Sequence, residues 1–391
     1  MVTTSELLER AGSGDPVALT RVLVAIPSVN PSMEEDGSGE EEIARQVHDW
    51  LQGWGYRAEL QELAPGRWNV VGRRGEGGKR LVLNGHLDTV GVQGMGIPPF
   101  SGELRDGRVW GRGACDMKGG LAIILATAAA LARESHAGEL VVALTADEEY
   151  ASIGMMAFAD SVGEADGAVV CEPTNLSVMP AHKGFLWVDA EFRGRAAHGS
   201  LPEEGVDAIL HAGLFLAALA GLESRLLQRP RHPLLGFPSF HAGTIEGGSA
   251  PSVYPDRCRL VMERRTLPGE DPDAVLAEFQ GVLDEMATRV PGLEGTLMPG
   301  LFRSGTEVAV DSPVVRGLLE ATEAEGVKGA VEAMTAWVDA ALLNETGIPA
   351  VCFGPGSIAQ AHSAEEWVKV EELDAGSRIL TRFAKAFLEG R

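Results

Sequence analysis

The run Leu81-Val82-Leu83-Asn84-Gly85-His86-Leu87-Asp88-Thr89-Val90 decides how this chain reads. An aliphatic, β-branched stretch runs into a glycine, then into a histidine and an aspartate two residues apart. On extended backbone, positions i and i+2 face the same side. His86 and Asp88 therefore project together from the end of a buried strand. There an imidazole can bind a metal through one nitrogen while a carboxylate fixes the ring. An isolated His-x-Asp reads more readily as a surface histidine beside a solvated acid. The rest of the chain reverses that preference.

Working outward, three more apolar runs end the same way. Glu139–Leu144 leads into Asp147-Glu148-Glu149, Gly167–Cys171 into Glu172-Pro173-Thr174, and Ile348–Phe353 into Gly354-Pro355-Gly356 and then His362. Helical patterns lie between and before them, at 16–28, at 40–54 and from Leu121 to Ala132, while Asn69–Gly72 and Arg80–Asn84 read as strands. Continuous apolar strands alternating with helices predict an α/β domain built on a mainly parallel sheet covered on both faces. Ligands of such sheets gather beyond the carboxyl ends of the strands. One sheet edge thus collects the acids and imidazoles.

The texture changes between about 183 and 303. Strand-like Gly184–Phe192, a helix near 206–227, strands near 240–245 and 257–264, a helix near 272–290 and a strand near 293–301 follow in order. That is the sequence of a ferredoxin-like α+β sandwich. We expect a catalytic domain in two parts, 1–182 and 304–391, interrupted by an inserted domain over 183–303. The helix near 206–227 is Ala- and Leu-rich; it reads either as plain core or as the face of a homodimer.

The chain has 391 residues, too many for one ordinary core. With 33 Lys and Arg against 56 Asp and Glu, its net charge of −23 argues against nucleic acid and anionic membrane surfaces as partners. Cys115, Cys171, Cys258 and Cys352 are scattered without a C-x-x-C pair, as in a reducing cytoplasm. The N-terminal residues have no apolar signal core. The longest apolar run, Leu121 to Ala132, is too short to span a bilayer. A cytoplasmic protein acting on a small molecule is the expectation.

His86, Asp88, Asp116, Glu148, Glu149, Glu172 and His362 form a donor set with two imidazoles, several carboxylates and no thiolate. Such a set suits Zn²⁺, Mn²⁺ or Co²⁺. One imidazole and one carboxylate per ion with a shared carboxylate between them fits a two-metal hydrolase. Asp116, in the glycine-lined turn Gly111–Gly120, suits the bridge. Adjacent Glu148 and Glu149 cannot point the same way, so one can ligate while the other serves as a general base. Burying so many acids without cations is costly.

These residues resemble the M20 metallopeptidases and deacylases. The likeness runs through Asn84–Asp88, Gly111–Gly120, Asp147–Glu149, Cys171–Thr174, Ala197-His198-Gly199, Glu263–Gly269 and Gly354–His362. It implies a zinc-hydrolase catalytic domain with an inserted lid and dimerisation domain. It further implies His86 and Glu172 on one metal, Glu149 and His362 on the other, and Asp116 between them. Asp88 would orient His86 and Glu148 would be the base. Two divalent ions are expected, Zn²⁺ first, with Co²⁺ or Mn²⁺ as alternatives. In the lid, His198 would stabilise the oxyanion, from the neighbouring subunit in dimeric relatives, and Arg265 would hold the substrate carboxylate. The Asp116–Met117 turn often carries a cis peptide in this family. Glu172 leans toward the acetylornithine deacetylase and succinyl-diaminopimelate desuccinylase branch. Ser252, in Pro251-Ser252-Val253-Tyr254-Pro255, stands where many deacylases carry Asn ahead of Pro, which loosens any assignment of substrate.

The implied reaction is amide hydrolysis of an N-acyl amino acid by a dimetal-activated water. The alternatives are an exopeptidase using the same site and a metal-loaded scaffold. His198 could be a surface residue and Arg265 a salt-bridge partner. Gly243–Gly248 reads as turn chemistry, and His48, His182 and His241 as ordinary.

Overall fold

The computed structural model describes residues 3–391 and resolves into two compact units. The first comprises residues up to Pro180, Val308–Ala333 and Val338–Arg391; the second comprises Ala181–Glu307 and Met334–Trp337.

In the first unit the central strands are Gly138–Thr145, Arg80–His86, Gly167–Val170 and Ala350–Cys352, adjacent in that order and mutually parallel. Their uninterrupted apolar sequence is explained by burial on both faces: every residue of Gly138–Thr145 is buried. Antiparallel strands Arg67–Glu76 and Arg57–Ala64 extend the sheet on one side, and Val178–His182 pairs antiparallel with Ala350–Cys352 on the other. Helix Gly119–Ala132 is apolar all round and almost wholly buried against this core, packed by Pro16–Ala25 and Val370–Leu388. Asp15 caps Pro16–Ala25 by accepting from Ala18 N, with proline at the helix start.

A three-stranded sheet, absent from the sequence expectation, joins Trp367–Lys369 to Arg108–Trp110 and Glu103–Arg105. Trp367 pairs with Trp110, and Gly111 N donates to the Glu366 carbonyl. This small sheet fastens the segment after His362 beside the turn that carries Asp116.

The second unit is a four-stranded antiparallel sheet in the order Ser239–Gly247, Arg257–Thr266, Gly184–Arg193, Glu294–Arg303, with helices Ala208–Leu226 and Pro272–Ala287 packed on it. The order and the β-α-β-β-α-β succession are those of a ferredoxin-like sandwich. Strict alternation along Gly184–Arg193 sends Leu186, Val188, Ala190 and Phe192 into the helix-covered core. Phe185, Trp187, Asp189 and Glu191 fall on the open face.

Candidate metal centre

His86 is the last residue of its strand, so its ring emerges where the sheet ends. Its Nδ1–H donates to the Asp88 carbonyl (2.9 Å), which leaves Nε2 as the ligating nitrogen, 3.1 Å from Asp116 Oδ1. The Asp88 carboxylate lies 3.6 Å from Nδ1 and does a second job. Oδ1 accepts from Glu148 N (3.1 Å), while Oδ2 accepts from Glu149 N (3.2 Å) and Asn30 Nδ2 (2.8 Å). Burial opposes its ionisation, but His86 and these donors hold Asp88 below the usual carboxylate range. One buried acid thus positions His86 and both glutamates.

Asp116 stands between two imidazoles. Oδ1 faces His86, and Oδ2 lies 3.3 Å from His362 Nε2. His362 Nε2 is also 3.0 Å from Glu149 Oε2. The turn carrying Asp116 has Gly113 at φ +79°, a conformation suited to glycine, and a cis Asp116–Met117 bond. Glu366 holds the turn from behind. Its Oε1 accepts from Cys115 N (2.9 Å) and Asp116 N (3.0 Å), and its Oε2 from Gly113 N (3.0 Å) and Arg112 Nη1 (2.8 Å). Helix Gly119–Ala132 starts hard against the strand end bearing Glu172: a Cβ on Gly120 would sit 2.0 Å from the Cys171 carbonyl.

The Asp147–Glu149 loop is anchored below by a buried polar chain. Asn30 Nδ2 also reaches Asp147 Oδ1 (3.0 Å), Arg67 Nη2 lies 2.8 Å from that oxygen, and the same nitrogen is 2.7 Å from Glu40. Asp147 and His362 both adopt left-handed backbone (φ +72° and +58°), as residues at functional sites often do.

Electrostatically the centre is over-supplied with acid. Burial, then the Asp116 charge, pushes Glu172 up to about 8. Burial, then Glu172, raises Glu148 as well, and burial with Asp116 raises Glu149. Buried Asp339 adds to the pressure on Glu148 and Glu172. Asp116 and Glu149 in turn lift His362 to about 10. Glu172 Oε1 is buried without a hydrogen-bond partner, and among the described residues the Glu148 carboxylate has no hydrogen bond or ion pair. Ligand atoms of His86, Asp116 and Glu149 lie within 4.8 Å of one another. An orphaned buried carboxylate oxygen beside an oxygen- and imidazole-rich cluster is the chemistry that a pair of divalent cations fits.

The remaining candidates lie in the second unit. His198 is exposed, with Nδ1 2.7 Å from Ser200 Oγ. Ser252 adjoins it through its main chain, its carbonyl accepting from Gly199 N (2.7 Å). Arg265 pairs through Nε with Glu263 (2.8 Å), so the salt-bridge alternative has a partner in place. Arg264, on the opposite face, is fully buried between Glu270 and Glu278. His182 is buried, pushed down to about 4 by desolvation, and bonded to Thr306 Oγ1: a neutral structural histidine. Sequence reasoning missed Asn30, Glu40, Arg67, Arg112, Asp147, Asp339 and Glu366. Proximity to His362 was the one available signal for Glu366, and nothing local distinguishes it from Glu365.

Residues 82–386 match the profile of peptidase family M20/M25/M40. A Myxococcus xanthus protein named acetylornithine deacetylase is 35% identical over 82% of this chain and 84% of its own length. A Vibrio cholerae protein of the same name is 30% identical over 92% of this chain and 95% of its own. Among solved structures, a Bacillus cereus aminopeptidase PepT superposes with a TM-score of 0.77 at 20% identity, covering both chains completely. The metallo-carboxypeptidase Sso-CP2 of Sulfolobus solfataricus gives 0.78 at 18%, covering 96% of this chain and 99% of its own. At those identities the structural likeness speaks for the fold.

Proposed function

Because the chain belongs to peptidase family M20/M25/M40 and is a metallohydrolase, we propose that it hydrolyses the amide bond of an N-acyl amino acid. The observation that carries this reading is Asp116 reaching both His86 (3.1 Å) and His362 (3.3 Å) while Glu148 stays unengaged. The names of the relatives favour a deacylase.

His86 and Glu172 would hold one cation, Glu149 and His362 the other, with Asp116 shared. Bound there, two divalent ions, Zn²⁺ in our reading, supply Lewis acidity that acidifies water and polarises a carbonyl. Glu148 takes the proton of the attacking water as its oxygen bonds the amide carbon. His198, whose Nδ1 is occupied by Ser200, offers Nε2 to the oxygen that gains charge. Glu148 then delivers its proton to the departing nitrogen as the C–N bond breaks. Arg265 binds the substrate carboxylate with its planar fork, and Ser252 adds a hydrogen-bonding contact. Four unpaired buried thiols support a cytoplasmic setting.

We also propose a homodimer through the second unit. Helix Ala208–Leu226 exposes Ile209, Leu210 and Leu214, and the edge strand Ser239–Gly247 exposes Ile245. Sedimentation of wild type and Leu210→Glu tests this; identical monomers would refute it. The activity test is a screen of N-acetyl and N-succinyl amino acids and dipeptides with Zn²⁺, Co²⁺ and Mn²⁺, against chelated protein. Cleavage of dipeptides alone would replace the deacylase with an exopeptidase.

A further inference from the structure

Asp116 is flanked by two sulfur-bearing residues, Cys115 and Met117, and both are wholly buried. Neither is a proposed ligand. Each nevertheless touches the main chain of a segment that carries an imidazole, and the two segments are different.

Met117 reaches His86. The pairing of Arg80–His86 with Gly167–Val170 ends where Asn84 lies opposite Val170. Past that point the neighbouring strand has ended, while Leu87 N turns the other way, to the Thr145 carbonyl (2.7 Å). The His86 amide between them donates to Met117 Sδ at 3.3 Å. A buried amide without an acceptor is costly, and here a thioether fills that place. The thioether is itself held: a Cβ on Gly85 would lie 2.7 Å from the Met117 methyl carbon, and one on Gly120 2.9 Å from it. The methyl group is packed between two stretches of backbone.

Cys115 reaches the other segment. Its thiol donates to the Ser357 carbonyl (3.3 Å), which also accepts from Gln360 N (2.7 Å) in the turn that leads to His362. A Cβ on Gly356 would lie 2.6 Å from Sγ, so this stretch of backbone rests directly on the sulfur. Glu372 fixes the same stretch from the last helix, accepting from Gly356 N (2.7 Å).

We propose that Cys115 and Met117 are positioning residues that set how far the two imidazoles stand from the carboxylate between them, Met117 for the His86 site and Cys115 for the His362 site. This rests on the reading of Asp116 as the shared ligand. The carboxylate and the two sulfurs belong to three consecutive residues, so a shift of that turn carries both imidazole-bearing segments with it. Hydrogen bonds through sulfur are weak one by one. Ligand distances, however, must hold to within about 0.2 Å. Loss of a contact too weak to matter for folding therefore registers in metal affinity, and it does so at one site only.

The test isolates each site in the full-length protein and reads Co²⁺ binding by titration followed in visible absorption. His362→Ala keeps His86, Glu172 and Asp116, whereas His86→Ala keeps Glu149, His362 and Asp116. In the first background Met117→Leu, close to methionine in volume, should weaken Co²⁺ binding about tenfold. Cys115→Ala should change it there by less than about twofold. In the second background the pattern should reverse, and Cys115→Ser, which keeps an O–H donor, should recover most of the loss. Equal weakening of both sites by either variant, or affinities unmoved by both, overturns the assignment. Should Met117→Leu fail to fold, Cys115→Ala and Cys115→Ser decide alone. A loss confined to the His86→Ala background and recovered by serine supports the assignment, and any other pattern overturns it. No substrate enters the assay, so its outcome is separate from which amide is cleaved. A wild-type protein that takes up fewer than two Co²⁺ removes the shared metal centre and this inference with it.

Discussion

Replacing Glu366 is the sharpest test of how the metal centre is built. The Glu366 side chain reaches no ligating atom, yet its two oxygens accept from Arg112 and from the amides of Gly113, Cys115 and Asp116. Its side chain is 1% exposed and that of Arg112 4%. In Glu366→Ala three amides lose their acceptor out of reach of bulk water, and Arg112 loses its carboxylate while keeping the Gly91 and Ser363 carbonyls. Breaking a buried ion pair costs about 3–5 kcal/mol, and each stranded amide adds up to about 1–3 kcal/mol unless water enters the hole. We expect a loss of about 4–6 kcal/mol in denaturant unfolding. Glu366→Gln keeps one carbonyl oxygen for two amides but opposes Arg112 with an NH₂ group, and about 2 kcal/mol is expected. Because Asp116 hangs on this turn, Glu366→Gln should weaken metal binding about 10–100-fold, measured by chelator competition, with turnover recovering at saturating metal. Unchanged metal affinity together with stability within about 0.5 kcal/mol would refute the assignment of Glu366 as the support of Asp116.

Glu148→Ala should retain both metals by elemental analysis and lose about 10²–10⁴-fold in kcat; near-normal turnover would remove it as the base. His362→Ala should lower metal occupancy at one site, seen as a reduced metal-to-protein ratio after dialysis. Metal affinity should climb with pH. The Glu172 carboxyl, raised to about 8, and the His362 imidazole, raised to about 10, must each release a proton to ligate, so affinity rises by at least about tenfold per unit between pH 6 and 8. Calorimetric affinities that stay flat over that range would contradict the raised acid. Gly120→Ala should cost about 2 kcal/mol or more, since its Cβ would strike the Cys171 carbonyl and neither backbone can yield easily.

The proposed ligands were legible because His86, Glu149, Glu172 and His362 each come after an apolar run, and Asp116 lies in a glycine-lined turn. The same holds for the sandwich, whose two central strands alternate cleanly. The strand Arg57–Ala64 escaped notice because it is half exposed along its length and carries charge on both sides of the alternation. Trp367–Lys369 is three residues long, too short for any period. The Asn30–Asp147–Arg67–Glu40 chain and the Glu366 cradle join positions up to 254 apart. Their residues are common polar types in unremarkable local contexts, and only the folded backbone brings them together. Met334–Trp337 shows the same limit, since nothing in its sequence ties Trp337 to Phe185.

The order of the parallel strands has a consequence for synthesis. Ala350–Cys352 lies between Gly167–Val170 and Val178–His182, both of which leave the ribosome well before it. The gap between them has to stay open while the entire sandwich emerges, exposing two unsatisfied strand edges for that interval. Contacts of such sequence separation form slowly, and open edges invite association with other chains. Nascent chains stalled short of residue 350 are where we would look for aggregation and for chaperone dependence.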